Sequence, residues 1–254
     1  MEITKSNQKQ RDKTTEYLFE TLKIENLSFL RTSVGSLYSI GRSSGFIWEF
    51  SESVNEIVCV EDGFLDQQHI VSSPFTLKSI MQTHKKFNID EIRKNWVEKE
   101  DSSFPLVTLP DGTEMTFGNT LIHKCSNLLT EFMNGRKEGG LDMLLTGGGF
   151  AFPSFRSTIR NRVENFVNVN KLYSDHEKGY NQKTFYRYSG FLGASILGSL
   201  PGYSEFFLKR ENYLEVGNNL LISEKDSDLG SLDEERAKTL ENRQKFKIVD
   251  KMFQ

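Results

Sequence analysis

The pattern of apolar and polar positions predicts both strands and helices along the chain. Gly45–Phe50 and Ile57–Val60 are short apolar runs separated by polar residues near Ser51, a pattern typical of a β-hairpin. Apolar positions recur at helical spacing over Thr32–Ile40, and Gly41 is a suitable C-terminal cap for that helix. The other predicted elements are a helix over 13–22, a strand over 27–30, an amphipathic segment over 88–100, two short strands over 107–117, a strand over 167–172, and a helix over 189–200 that ends at Pro201 and Gly202.

The most informative stretch runs from Leu144 to Ser154. The apolar residues that begin it predict a buried strand, and Gly147–Gly149 allow a sharp turn with close backbone approach. Pro153 is suited to the first turn of a following helix. A strand, a glycine turn and a helix form a place where backbone N–H groups meet a nucleotide phosphate. A tight turn without a ligand explains the same residues.

Composition narrows the function classes. The chain has 254 residues and a net charge of −3, so it lacks the basic surface of a nucleic-acid-binding protein. Cys59 and Cys125 form neither a disulfide framework nor a zinc pattern, and the four histidines show no metal spacing. The start of the chain has no apolar signal core, and no apolar run reaches membrane-spanning length. These features predict an intracellular protein without a metal site or a membrane partner.

Several motifs, taken in order, resemble the actin family. They cover about residues 8 to 222 and comprise Ser36–Gly45 with the hairpin after it, Glu61–Phe64, Leu109–Gly112 with Phe117–Asn119, Leu145–Gly148 with Phe152–Pro153, and Tyr188–Leu197. The resemblance implies the actin-like, sugar-kinase-type fold of two α/β halves, with the N-terminal part and the outer subdomains missing or trimmed. We expect a polar lead-in over 1–13, an incomplete actin-like domain over 14–225 and a charged helical tail over 226–254.

The resemblance also allows the family's phosphate chemistry to be checked. The second phosphate turn of the family, Asp-x-Gly-Asp-Gly, aligns with Glu49–Ser53, so that both glycines are replaced and both aspartates become glutamates. Thr32 aligns with the family's water-positioning glutamine, and Glu56 aligns with a histidine of its site. Because phosphoryl transfer depends on positioning and charge stabilisation, we expect no ATP hydrolysis and assign no catalytic residue.

The adenosine side matches the family better. Gly147 and Gly148 match family glycines beside the nucleotide, and Arg187 and Arg93 replace family lysines, whereas Lys94 replaces a ribose-binding glutamate. We expect no bound cofactor, with ATP or ADP and Mg²⁺ as the alternative. The residues that would contribute to residual nucleotide binding are Gly147, Gly148, Gly149, Arg93, Arg187, Glu49 and Glu52.

The family also has an apolar groove that receives partner helices. Its counterparts here are Tyr38, Gly41, Phe64, Leu192, Ile196, Leu197 and Leu200, and core packing is the alternative role for the same residues. We expect protein partners, bound in this groove or at a sheet edge near Leu27–Leu30, including actin or other actin-related subunits.

The resulting hypothesis is a non-catalytic actin-related subunit of a cytoskeletal, ciliary or chromatin-associated assembly, in the cytoplasm or cytoskeleton rather than the nucleus. A fragment of an ATP-binding, filament-forming actin is the first alternative. A sugar-kinase-type enzyme is the second, although no catalytic aspartate in a substrate loop is visible.

Overall fold

The structure is a computed structural model that describes residues 8–79, 106–108, 112, 114–116, 119–134, 140–151, 153–164, 169–173 and 182–217. The helices are α1 (Gln8–Glu16), α2 (Thr32–Tyr38), α3 (Asn119–Asn134), α4 (Pro153–Val163), α5 (Gln182–Ser199) and α6 (Arg210–Val216). The strands are β1 (Asn26–Leu27), β2 (Gly45–Phe50), β3 (Asn55–Glu61), β4 (Phe64–Ser72), β5 (Leu106–Thr108), β6 (Glu114–Thr116), β7 (Leu141–Thr146), β8 (Val169–Tyr173) and β9 (Leu208–Lys209). A π-helical turn covers Tyr17–Thr21, and 3₁₀ turns cover Gly148–Ala151 and Pro201–Phe206.

A mixed sheet forms the main β layer of the described chain, with the strand order β4-β3-β2-β7-β8. The β2–β3 hairpin is antiparallel, whereas β2 pairs with β7, and β7 with β8, in parallel. This arrangement of strands and helices confirms the predicted α/β class. The predicted hairpin, the buried strand before the glycine turn and the helix that begins at Pro153 are all present.

The chain folds into two compact units. The first comprises Met1–Ser43, Asp62–Phe64 and Gly190–Gln254, and the second comprises Ser44–Glu61 and Leu65–Ser189. In the second unit, α3 contacts β3 and α4, and the Phe46 and Phe132 rings meet edge to face at 5.2 Å. The core of this unit therefore lies between the sheet and these helices.

In the first unit, α2 and α5 approach each other through glycine residues. A Cβ at Gly35 would lie 2.6 Å from the carbonyl oxygen of Gly190, and a Cβ at Gly193 would overlap the carbonyl oxygen of Gly35. Glycine is required at these positions because a larger residue would push the two backbones apart. The glycines of α5 therefore set how closely the two helices pack.

A second cluster in the first unit joins the start of the described chain to its end. The Phe19 and Tyr213 rings stack at 5.0 Å, and the Arg210 guanidinium donates to the carbonyl oxygen of Phe19 at 2.9 Å. The Tyr213 hydroxyl also donates to the Glu20 carboxylate at 3.0 Å. These contacts fix α6 against the π-helical turn.

The structure corrects several predicted boundaries. Helix α1 begins at Gln8, inside the stretch predicted as a polar lead-in over 1–13. Arg11 lies over the Phe29 ring at 5.5 Å and so gives this polar helix a tertiary contact. The strand predicted over 27–30 is shorter, and Leu27 pairs with Leu208. Strand β9 thus pairs with one side of β1, where a partner was expected at the sheet edge.

One helix is longer than the apolar pattern indicated, and another was not predicted from it. The helix predicted to begin at Ser189 extends back to Gln182, and α3 follows the two short strands where no helix was predicted. Within the described residues, no helix is both long enough and apolar enough to span a membrane. The expected amphipathic segment over 88–100, the tail over 226–254 and residues 1–7 lie outside the described residues.

Candidate functional site

The turn between β2 and β3 is closed by its own backbone and by a later segment of the second unit. The N–H of Ser51 donates to the carbonyl oxygen of Val54 at 2.7 Å. The N–H groups of Leu77 and Lys78 donate to the carbonyl oxygens of Ser51 and Glu52 at 3.3 and 2.9 Å. The turn is therefore held as part of the protein framework, with two of its carbonyl groups already hydrogen bonded.

Two buried carboxylates lie side by side at the base of this turn. Glu49 on β2 is paired in register with Glu56 on β3, and their exposed fractions are 8% and 4%. Burial raises the pKa of Glu49 to about 7, the negative charge of Glu56 contributes to this rise, and a hydrogen bond with Ser51 opposes it. Near neutral pH, Glu49 is thus present in both protonated and ionised forms.

The glycine turn after β7 is packed against β2. Gly147 has a φ of 97°, and a Cβ there would lie 3.0 Å from the Phe50 nitrogen and closer still to its carbonyl group. A Cβ at Gly149 would overlap the Phe50 ring, whereas a Cβ at Gly148 would meet no atom within 4 Å. Packing therefore requires Gly147 and Gly149, and it does not account for Gly148.

An aromatic cluster fills the interior beside the glycine turn. The Phe50 ring lies 5.3 Å from Phe155 and 6.1 Å from Phe150, and Trp48 meets Phe150 edge to face at 5.6 Å. All four side chains are buried. Such contacts stabilise the strand–turn–helix unit, since buried aromatic pairs contribute beyond the area that they remove from water.

A buried arginine connects this cluster to α5. Arg156 of α4 is 7% exposed, donates to the carbonyl oxygen of Phe150 at 2.8 Å, and lies over the Tyr186 ring at 4.9 Å. The N–H of Gly147 donates to the carbonyl oxygen of Tyr186 at 2.8 Å. Sequence reasoning missed Arg156, and its position one residue after the buried Phe155 was the available signal.

The chain is similar in sequence to known proteins of the actin family. The actin family model matches residues 1–103. A Dictyostelium discoideum protein described as actin-29 is 21% identical over 87% of this chain and 70% of its own length. Centractin of Schizosaccharomyces pombe is 24% identical over 82% of this chain and 66% of its own length. These matches support a divergent actin-family member.

The structure shows where the residues that align with the family's phosphate turn lie. Glu49, Ser51, Glu52 and Ser53, which the resemblance aligns with the family's phosphate turn, all lie on one hairpin of the second unit. Thr32, which the resemblance aligns with the family's water-positioning glutamine, begins α2 in the first unit. Within the second unit, the structure thus brings the predicted turn residues and the buried carboxylate pair together.

The remaining nucleotide-binding candidates that the actin resemblance indicated lie on two different elements or outside the described residues. Gly147, Gly148 and Gly149 form the turn described above, and Arg187 is an exposed residue of α5. Arg93 lies outside the described residues, as does Lys94. Of the three glycines in the turn, Gly148 is the one that packing does not explain.

The groove candidates all belong to the first unit, where they differ in exposure. Ile196 and Leu200 are half-buried, and Leu192 precedes them at the same interval of four, which places the three on one face of α5 and its end. Phe64 is also half-buried, and Gly41, with a φ of 70°, is exposed. Tyr38 and Leu197 are both 0% exposed, so these two side chains contribute to core packing.

Proposed function

We propose that this chain is a non-catalytic actin-related subunit of a larger intracellular assembly with a cytoskeletal location. The observation that carries the proposal is the buried Glu49–Glu56 pair at the base of a turn that has serines at the two glycine positions. An actin-type ATPase needs that turn to approach phosphate closely and to hold a magnesium ion through ordered carboxylates. The chemistry of this turn favours neither task.

The first argument concerns charge. A nucleotide phosphate is anionic, and the second carboxylate, Glu56, adds repulsion where the family has a histidine. Magnesium ions bind ionised oxygen ligands, and the raised pKa of Glu49 leaves part of this carboxyl protonated near neutral pH. Glu49 is therefore a poor substitute for an ionised aspartate.

The second argument concerns the backbone. Ser51 and Ser53 restrict a turn that glycine leaves open to close approach by a ligand. The carbonyl oxygens of Ser51 and Glu52 accept hydrogen bonds from Leu77 and Lys78, which ties the turn to the protein. A role in which this hairpin stabilises the fold accounts for all of these contacts.

Phosphate release by the purified full chain, measured against a buffer blank, tests the absence of catalysis. We expect release equal to the blank, with or without Mg²⁺, and no change in the Glu52→Ala variant. ATP turnover that is lost in Glu52→Ala would contradict the proposal. Sedimentation in polymerising salt tests the alternative, because an ATP-binding filament-forming actin would give a pellet of ordered filaments.

The assembly is proposed to form through the half-buried face of α5, where an amphipathic helix of an actin or actin-related partner would bind. The chain has a mass of 29.2 kDa, so the native complex should migrate well above that mass on size exclusion with light scattering. Ile196→Asp should disrupt the complex, whereas the exposed neighbour Ser195→Asp, which adds the same charge, should leave it intact. Equal complex formation by both variants, each confirmed as folded by circular dichroism, would exclude this face.

A further inference from the structure

Three side chains of metal-ligating type converge on neighbouring strands of the second unit. Cys59 and Glu61 are two residues apart on β3 and so point to the same side of the sheet, and Asp66 lies on β4. One sulfur and two carboxylate oxygens, one from each residue, all lie within 4.8 Å of one another. This group is separate in sequence from the Glu49–Glu56 pair and from the glycine turn.

The distances within the group fit coordination after small side-chain rotations. The Cys59 Sγ lies 3.9 Å from the Glu61 Oε1. Two ligands of a tetrahedral zinc ion, with bonds of about 2.3 Å to sulfur and about 2.1 Å to oxygen, are separated by roughly 3.6 Å. The sulfur and the oxygen are therefore already close to their coordinated separation.

A histidine supports the third ligand. The His69 Nδ1 lies 2.6 Å from the Asp66 Oδ2, three residues earlier on the same strand. Partners of this kind orient metal ligands and increase their affinity for the metal. The side chains of His69 and Asp66 are 31% and 24% exposed, whereas Cys59 is fully buried, so an ion would approach from the carboxylate side.

The donor types discriminate between metals. Magnesium and calcium ions favour oxygen ligands alone, whereas a thiolate together with carboxylates suits zinc. We propose that Cys59, Glu61 and Asp66 bind a zinc ion, with His69 as the residue that positions Asp66 and a water molecule at the fourth position. On binding, the Cys59 thiol loses its proton to solvent and the thiolate forms the bond to zinc.

The site would connect the two strands of the β3–β4 hairpin through one ion. The ion would stabilise the folded state, because it adds a link between β3 and β4 to their hydrogen bonding and binds the folded chain but not the unfolded one. The proposal does not depend on the proposed function, since a catalytic or a non-catalytic actin-related chain would hold the ion equally well.

Cobalt substitution provides a direct test, because a thiolate bound to Co²⁺ gives a charge-transfer band in the near ultraviolet. The full chain, purified with chelator and titrated with Co²⁺ and then Zn²⁺, should show this band at one equivalent and lose it when zinc displaces cobalt. Cys59→Ser should abolish the band. Cys125→Ser is the matched control and should retain it, since Cys125 is a buried cysteine like Cys59 but does not belong to the group of three metal-ligating side chains.

Two further variants separate the site from a folding effect. Asp66→Asn changes a partly exposed residue and should weaken zinc binding at least 10-fold, and His69→Ala should weaken it by about 10- to 100-fold. Circular dichroism must show native secondary structure for each variant. A band that persists in Cys59→Ser, no band in the folded wild-type chain at saturating Co²⁺, or equal zinc affinity of wild type and Asp66→Asn would each overturn the proposal.

Discussion

Gly193 of α5 lies against the carbonyl group of Gly35 of α2, so close that a Cβ at residue 193 would overlap this oxygen. The contacting atom belongs to the backbone and has no rotamer by which to move away. A side chain at residue 193 therefore separates the two helices, and the first unit loses the contact between them. We regard this glycine pair as the principal constraint on the packing of α2 against α5.

We expect Gly193→Ala to lower the free energy of unfolding by about 2–3 kcal/mol, since the added methyl group overpacks the contact. Gly198→Ala on the same helix is the matched control, because a Cβ there would meet no atom within 4 Å. This control should raise stability by up to about 1 kcal/mol, because alanine favours the helix. Urea unfolding measures both, and a similar change in the two variants would contradict the helix contact.

The glycine turn offers a second matched pair. Gly149→Ala should cost about 1–3 kcal/mol, because its methyl group would overlap the Phe50 ring, whereas Gly148→Ala should change stability by less than about 0.5 kcal/mol. Chemical denaturation of both variants checks this. Loss of nucleotide binding in Gly148→Ala, with stability unchanged, would instead indicate that Gly148 is required for ligand approach.

These pairs show what the sequence was able to predict. Strand, turn and helix around Gly147–Gly149 followed from the apolar run, the glycines and Pro153, and the structure confirms all three. The reason for two of the glycines did not follow, because Phe50 is almost a hundred residues away and contacts them through a parallel strand pair. Local periodicity carries no information about such a contact.

The same limit explains the other misses. The contact of Arg11 with Phe29 stabilises a polar first helix that has no apolar periodicity. The Glu49–Glu56 pair depends on hairpin register, which the polar turn alone did not specify. The resemblance to the actin family identified both positions, but the consequence for the pKa of Glu49 required their burial to be known.

The stability of the protein should depend on pH through Glu49. Its pKa rises from 4.5 to about 7 on folding, so the folded state holds this proton more tightly than the unfolded state. The associated stability is fully present below about pH 4.5, is lost as the pH rises toward 7, and stays lost above it. The shift corresponds to about 3 kcal/mol.

Glu49→Gln should therefore flatten the pH dependence between about pH 4.5 and 7 and stabilise the protein at pH 8 by up to about 3 kcal/mol. Urea unfolding at a series of pH values provides the measurement. Glu131→Gln, which changes an exposed carboxylate on α3, should preserve the wild-type profile. An unchanged slope in Glu49→Gln would show that this carboxyl is not the source.

Two arginines of α4 should differ greatly in importance although they are one turn apart. Arg156 is buried and donates to the carbonyl oxygen of Phe150, so Arg156→Ala should cost about 2–3 kcal/mol through an unsatisfied carbonyl group and lost packing. Arg160 forms an exposed ion pair with Glu164 at 2.7 Å, and Arg160→Ala should cost less than about 1 kcal/mol. Comparable thermal destabilisation of the two variants would refute the assignment of Arg156 to the core.

The last prediction concerns the isolated chain. Phe191 is 63% exposed on α5, and Tyr17, Leu22 and Leu214 are each more than half exposed in the same unit. Exposed apolar side chains promote association where they form a contiguous patch. We expect the chain without a partner to self-associate, and Phe191→Asp to lower its light scattering while the unfolding temperature stays within a few degrees.

Ser195→Asp adds the same charge one turn further along the helix and should leave the scattering unchanged. Equal solubilisation by the two variants would assign the effect to charge, and a monodisperse wild-type monomer would refute the need for a partner.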